Sequence, residues 1–191
     1  MKNVVIVDYG LGNLGSIKNM LRRLGISSEI SGNKNVIEKS DKIILPGVGA
    51  FDTAIKNLEE RNLKDLLISK ALVDRIPLLG IWLGMQLLMD SSEEGNLRGL
   101  GLISGKVIRF NKSENLKVPH IGWNNVAFTK ESVLTKDLPE DPRYYFVHSY
   151  FVDASERDQV ILSCKYGKRF DAAINKENIY GVQFHPEKSH K

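Results

Sequence analysis

The chain has 191 residues, 42% of them hydrophobic and 26% charged, a balance that predicts one globular domain with a substantial core. The formal net charge of +4 is small and spread along the sequence, which argues against nucleic-acid binding. The apolar runs are too short to cross a membrane, and the N-terminus lacks the pattern of a signal peptide. A lone cysteine, Cys164, excludes an internal disulfide and a cysteine-based zinc site and is typical of a cytoplasmic protein. No metal site is expected.

The first half of the chain predicts alternating strands and helices. Val4–Val7 has the pattern of a buried parallel strand, and glycines from Gly10 to Gly15 turn the chain into a helix that Gly25 ends. Further strands are predicted at 27–31, at 42–45 and from 78 to a turn at 80, and further helices at 54–60, 63–70 and 83–89. This alternation, with short Gly/Pro turns, predicts an α/β fold with a mostly parallel, doubly wound sheet.

The second half is rich in strands and is expected to be partly antiparallel. The predicted strands are 102–109, 124–128, 144–150, 160–165, 170–174 and 179–184. Since no repeat or linker separates the two halves, one fused domain over 1–191 is expected.

Three glycines near the start, Gly10, Gly12 and Gly15, fit the dinucleotide-binding pattern G-x-G-x-x-G. Glu29 lies about where a ribose-binding acid would stand in such a site. The same glycines are equally compatible with a tight strand-to-helix turn, so both interpretations stay open at this point.

The segment Gly80-Ile-Trp82-Leu83-Gly84-Met-Gln86 has the G-x-Nuc-x-G form of a nucleophile elbow. Such an elbow holds its central residue over the edge of the sheet and uses the next backbone N–H in an oxyanion hole. The apex should be Ser or Cys, but it is Trp82, whose indole nitrogen has no lone pair for attack. An ordinary turn with a buried tryptophan is the alternative.

Two further motifs are typical of the same chemistry. Pro46-Gly47-Val48-Gly49 follows a predicted strand and can direct backbone N–H groups into a site at the edge of the sheet. Near the end, His185-Pro-Glu187 places a base beside a carboxylate that could orient it.

Together the motifs resemble those of the triad glutamine amidotransferases. They are D-Y-G-L-G-N-L at 8–14, L-P-G-V-G-A-F at 45–51, the elbow, H-I-G-W-N at 120–124, F-V-H-S-Y at 146–150 and H-P-E at 185–187. Over nearly the whole chain they look like the glutaminase subunits of imidazole glycerol phosphate synthase. The resemblance implies glutamine hydrolysis and ammonia transfer to a (β/α)8-barrel cyclase partner in a heterodimer of histidine biosynthesis. The glycine turn would then belong to the partner interface rather than to a dinucleotide site, so no cofactor is expected.

The resemblance also implies a role for individual residues. The catalytic positions are Trp82 (in place of the nucleophile), His185 and Glu187, and the oxyanion hole is formed by Gly47, Val48 and Leu83. The glutamine-binding positions are Gly49, Gln86, Ser149 and Tyr150, and the partner-facing positions are Asn13, Trp123, Tyr145 and Lys188. Cys164 is expected in the core, and His120 and His148 are expected to be structural.

The sequence departs from the family pattern at two places. Trp82 removes the nucleophile. Members of the family usually continue into a final helix after the dyad, whereas this sequence stops at Lys191, so that helix is expected to be missing from it. Three functions remain open: a glutaminase subunit impaired at Trp82, a non-catalytic pseudo-glutaminase partner subunit, and a paralogue that supplies ammonia to another acceptor such as a sugar precursor.

Overall fold

The structure, a computed structural model, describes residues 3–111 and 116–189. Within these ranges the strands are β1 (Val4–Val7), β2 (Ser28–Ser31), β3 (Lys42–Leu45), β4 (Leu78–Ile81), β5 (Ser91–Ser92), β6 (Gly105–Arg109), β7 (His120–Phe128), β8 (Arg143–His148), β9 (Tyr150–Ala154), β10 (Val160–Tyr166), β11 (Lys168–Lys176) and β12 (Ile179–Val182). The α-helices are α1 (Leu14–Arg23), α2 (Lys34–Glu38), α3 (Phe51–Glu60), α4 (Lys64–Leu72) and α5 (Leu83–Leu87). Short 3-10 helices lie at Arg157–Gln159 and Pro186–Lys188.

The strands form one continuous mixed sheet in the order β2-β1-β3-β4-β12-β11-β10-β7-β8. Strands β2, β1, β3, β4 and β12 run parallel, and β12 to β8 continue the sheet with antiparallel pairs. Strands β9, β6 and β5 branch from β11. The predicted α/β fold, with a parallel half and a strand-rich second half, is therefore confirmed.

Both faces of β1 are buried, as its apolar run requires. Val5 and Val7 enter one core with helices α2 to α5, whereas Val4 and Ile6 enter a second core with α1. Successive side chains of a strand point to opposite faces, so helices on both sides are needed to bury this run. Cys164 lies in the second core, as expected, and burial raises the pKa of its thiol to about 12.

Several predicted boundaries were wrong. The helix predicted to reach 89 ends at Leu87, and the strand predicted from 102 begins only at Gly105. The strand predicted at 144–150 is two strands, because the chain leaves its pairing with β7 at Ser149 and then pairs with β6. Helix α2 was not predicted, since its five residues are too short for a periodic signal.

Candidate active site

The elbow is formed as predicted, with Trp82 at its apex between β4 and α5. Trp82 has φ 55° and ψ −107°, a strained conformation for a residue with a side chain. The flanking glycines are required by contact: a Cβ on Gly84 would lie 1.8 Å from the Leu45 carbonyl oxygen, and one on Gly80 would lie 2.6 Å from the Gly84 backbone. The chain therefore forms the complete backbone of a nucleophile elbow around a residue that cannot act as a nucleophile.

The Trp82 side chain is fixed at two points. Its indole N–H donates a hydrogen bond to the Val147 carbonyl at 2.7 Å. Its ring stacks on the His185 imidazole, with the ring centroids 5.8 Å apart and the planes 24° apart. The indole therefore lies beside the His185 ring, at the apex of the elbow.

His185 and Glu187 form the expected dyad just beyond β12. The His185 Nδ1 lies 2.8 Å from a Glu187 carboxylate oxygen, and both side chains are buried. An ionised carboxylate only accepts hydrogen bonds, so it holds the proton on Nδ1 and leaves the Nε2 lone pair available as a base. The His185 backbone N–H donates to the Tyr145 carbonyl at 3.1 Å, which ties the dyad to β8.

The glycine turn after β3 lies against the elbow. A Cβ on Gly47 would lie 3.1 Å from the Leu83 Cβ and 2.2 Å from the Tyr9 hydroxyl. Gly49 has φ +116°, which favours glycine. The structure thus brings together the elements that carry the predicted oxyanion-hole residues Gly47, Val48 and Leu83.

Tyr9 supports this turn from beneath. Its side chain is fully buried, and its hydroxyl donates to the Pro46 carbonyl at 2.7 Å. Replacing Tyr9 by Phe would leave that carbonyl buried without a donor, so we expect the free energy of unfolding to fall by about 1–3 kcal/mol. Urea unfolding measures the change, with the partly buried Tyr180→Phe as a matched control. Equal midpoints for the two variants would contradict this role of the hydroxyl.

The dinucleotide interpretation of the first glycines receives no support from their packing. Asn13 caps α1 by accepting a hydrogen bond from the Ser16 N–H. A Cβ on Gly12 would lie 3.5 Å from the Gly47 backbone, so this turn packs against the glycine turn after β3. Glu29 lies exposed on the edge strand β2.

A cavity of about 240 Å³ opens beside the Trp82 ring. Its lining residues are Trp82, Gln86, Glu94, Pro119, Val147, His148, Ser149 and Tyr150. Three predicted glutamine-binding residues are therefore in the lining, and Gly49, the fourth, is not. Gln86 is buried, and its amide nitrogen donates to the Tyr150 carbonyl at 3.1 Å and to the Gln183 side-chain oxygen at 3.0 Å.

Sequence reasoning missed Glu94 in this cavity. Its carboxylate accepts a hydrogen bond from the Phe51 N–H at 2.9 Å, at the start of α3. The carboxylate therefore links the cavity to the helix that follows the glycine turn. Its only sequence signal is an acidic pair before Gly95, a pattern that is common in exposed turns.

Two buried histidines, His148 in the cavity lining and its neighbour His120, form a pair. Burial lowers the pKa of His120 to about 4. It also lowers the pKa of His148 to about 3, although the hydrogen bond to the Tyr150 carbonyl acts in the opposite direction. Both side chains are therefore neutral in the folded protein at neutral pH.

This pair makes the protein sensitive to acid. Above the ordinary histidine pKa of 6.5 the folded and unfolded chains are equally uncharged at these positions, and stability is complete. As the pH falls from 6.5 towards about 4, the unfolded chain takes up protons that the folded chain does not. The free energy of unfolding should then fall by up to about 1.4 kcal/mol per pH unit for each histidine.

Urea midpoints measured from about pH 7 to about pH 5 check this expectation. The His120→Phe variant, with one buried imidazole fewer, should lose stability less steeply than the parent. Parallel losses in the two proteins would show that His120 does not contribute to the pH dependence.

The predicted partner-facing residues lie on neighbouring elements. Trp123 on β7 is opposite Tyr145 on β8, with ring centroids 6.3 Å apart, and 37% of Trp123 is exposed. Lys188 is exposed in the second 3-10 helix, Pro186–Lys188. Ser189, which follows it, accepts a hydrogen bond from the Tyr145 N–H at 2.9 Å. Asn13 is exposed at the start of α1, which contacts the 3-10 helix. These positions therefore lie on elements that contact one another near the dyad.

In residues 3–111 and 116–189, no cluster of His, Cys, Asp and Glu side chains has the arrangement of a metal site. No helix in the same part of the chain is long and apolar enough to span a membrane.

The parallel sheet, the elbow, the glycine turn beside it and the His-Glu dyad define an α/β protein with the site architecture of a triad amidohydrolase. Residues 5–191 match the model of the glutamine amidotransferase class-I family. The chain therefore belongs to this family.

Similar relatives agree with this assignment, and a solved structure shares the fold. The chain is 49% identical over 188 residues to imidazole glycerol phosphate synthase subunit HisH 2 of Methanococcus maripaludis, covering 98% of this chain and 93% of the relative. It is 50% identical over 192 residues to subunit HisH of Methanosarcina barkeri, covering 99% and 93%. A crystal structure of a glutamine amidotransferase superposes with a TM-score of 0.74 at 19% identity, covering 96% of this chain and 90% of that one, which shows the common fold.

Proposed function

We propose that the chain is a glutaminase-type subunit of an imidazole glycerol phosphate synthase, and that Trp82 prevents it from hydrolysing glutamine. The observation that carries the proposal is the dyad, with His185 Nδ1 2.8 Å from the Glu187 carboxylate beside an intact elbow that lacks only its nucleophile. Relatives at 49% and 50% identity carry the name of that synthase subunit.

In such a site the apical nucleophile attacks the glutamine side-chain carbonyl carbon. His185 would accept the nucleophile's proton and donate it to the departing ammonia, while backbone N–H groups near Gly47, Val48 and Leu83 stabilise the oxyanion. Water then releases glutamate. With Trp82 at the apex the covalent step has no attacking atom, and the indole covers His185.

The proposed partner is a (β/α)8-barrel cyclase that binds this chain as a heterodimer in the cytoplasm, with no cofactor in this subunit. The surface around Asn13, Trp123, Tyr145 and Lys188 would face it. Trp123 and Ile121 support this, because they expose 37% and 60% of their surface on neighbouring positions of β7. Exposed large apolar side chains grouped on one strand are typical of an interaction surface.

A second candidate is a non-catalytic pseudo-glutaminase that serves only as the cyclase's binding partner. The hydrogen bond from Trp82 to the Val147 carbonyl favours it, because the indole is accommodated by the site rather than left unsatisfied. A paralogue that supplies another acceptor, such as a sugar precursor, would have the same glutaminase residues, so the acceptor must be identified through the partner.

The experiment is to mix the chain with the cyclase subunit of the Methanosarcina barkeri synthase and measure association by calorimetry. We expect a one-to-one complex that forms imidazole glycerol phosphate from free ammonia and not from glutamine. Trp123→Ala should weaken association at least tenfold, which corresponds to about 1.4 kcal/mol. Glutamine-dependent turnover would contradict the inactive site, and absence of a complex would contradict the choice of partner.

A further inference from the structure

We propose that His120 and His148 form a neutral imidazole pair with fixed tautomers, which positions the Val147–Tyr150 wall of the cavity by tying it to strand β7. The inference rests on the proposed function in one respect, which is that this cavity is taken to be the glutamine site. Both histidines would be positioning residues, with no contact to a reacting atom.

The hydrogen bonds fix the proton positions. His148 Nδ1 lies 2.7 Å from the Tyr150 carbonyl oxygen, which can only accept, so Nδ1 carries the proton. The neutral ring then has an acceptor at Nε2. His120 Nδ1 lies 3.1 Å from that Nε2 and must be the donor. Donation therefore runs in one direction, from His120 to His148 to the Tyr150 carbonyl.

Both histidine rings are buried, so neither can form a hydrogen bond to water in place of its protein partner. Each histidine is only 2% exposed. The His120 ring stacks on Tyr166, with centroids 3.9 Å apart, and on Phe146, with centroids 5.0 Å apart. A change of tautomer or ring orientation would leave a polar nitrogen buried among these aromatic rings without a partner, which is costly.

The wall is held at carbonyls on both sides of Ser149. The Val147 carbonyl accepts the Trp82 indole N–H at 2.7 Å, and the Tyr150 carbonyl accepts Gln86 at 3.1 Å as well as His148. His148 also lies directly opposite His120 in the β7–β8 register. A shift of β7, the strand that carries Trp123, would therefore move the cavity wall.

Two substitutions separate the donor from the packing. His120→Phe suits the aromatic surroundings but removes the donor, whereas His120→Asn retains an N–H close to the position of Nδ1. In a Trp123→Phe background Trp82 is the remaining one of the two tryptophans, so its fluorescence reports the wall through its bond to Val147. We expect the emission maximum to be unchanged in His120→Asn and shifted by a few nanometres in His120→Phe.

The ring ¹⁵N chemical shifts of the unsubstituted chain give an independent test. We expect Nδ1–H tautomers for both histidines at neutral pH. A proton on Nε2 of His148 would overturn the proposal, whether or not the variants fold. Unchanged emission in His120→Phe would also overturn it, since packing alone would then suffice.

Activity in a Trp82→Cys background separates this inference from the proposed function. There, His120→Phe should raise the KM for glutamine about tenfold, and His120→Asn should restore it. If the tautomers and the emission behave as expected while Trp82→Cys releases no glutamate, the positioning role stands and the proposed function fails.

Discussion

Replacing Trp82 by Cys is expected to create glutaminase activity in the complex with the cyclase. The substitution puts a thiol at the apex of an elbow whose backbone already has φ 55° and whose base is already oriented by Glu187. Loss of a nucleophile in a comparable triad costs about 10⁶-fold in kcat, so we expect glutamate release to rise by at least about a thousandfold. Glutamate formed from glutamine, with and without the partner, is the measurement.

Two controls distinguish the effect of the thiol from the effect of the space that the smaller side chain opens. Trp82→Ala frees the same region in front of His185 without a nucleophile and should remain inactive. Combining Trp82→Cys with His185→Ala should return the rate to background, because the thiol would then lack its base. A silent Trp82→Cys variant that still binds the cyclase would favour the pseudo-glutaminase.

The same substitution is expected to lower stability. The indole stacks on His185 and bonds to the Val147 carbonyl, and Cys replaces neither contact. Removal of a large aromatic side chain from a packed site costs about 3–5 kcal/mol, and Trp82 is partly buried, so the lower end of that range applies. Assays of this variant therefore belong well below its unfolding temperature.

The parallel half of the fold could be predicted because each of its signals is local. Val4–Val7 and Lys42–Leu45 are apolar runs between turns, and both are strands with those bounds. Ser149 shows where local reasoning failed: the residues around it all favour a strand, and only the change of partner from β7 to β6 divides them. A change of strand partner depends on tertiary packing, which one segment does not encode.

The site could be predicted as far as its motifs extend. The elbow, the glycine turn and the His185–Glu187 dyad are each short in sequence, and the structure forms all three. The contacts that distinguish this site are remote in sequence, such as Trp82 with the Val147 carbonyl and His120 with His148. Glu94 likewise reaches the cavity from a turn with no motif.

The largest loss of stability is expected from Gly84→Ala. A Cβ at Gly84 would lie 1.8 Å from the carbonyl oxygen of Leu45 and 2.8 Å from its carbonyl carbon, so it would collide with the β3 backbone. Because backbone cannot rotate away as a flexible side chain can, α5 must separate from β3. We expect the free energy of unfolding to fall by about 3 kcal/mol or more.

Gly15→Ala is the matched control, because a Cβ there meets nothing within 4 Å and the residue lies in α1. It should be neutral or stabilise by up to about 1 kcal/mol, since alanine loses less backbone entropy in a helix. Urea unfolding of both variants shows whether the loss of stability comes from the collision with β3 or from adding a methyl group to any glycine. Equal midpoints would mean that the elbow can relax. A loss of stability confined to Gly84→Ala would show that the close contact between α5 and β3 holds the elbow in its strained shape. Because the glycine turn follows β3, the same contact would also keep that turn beside the elbow, even with Trp82 at the apex.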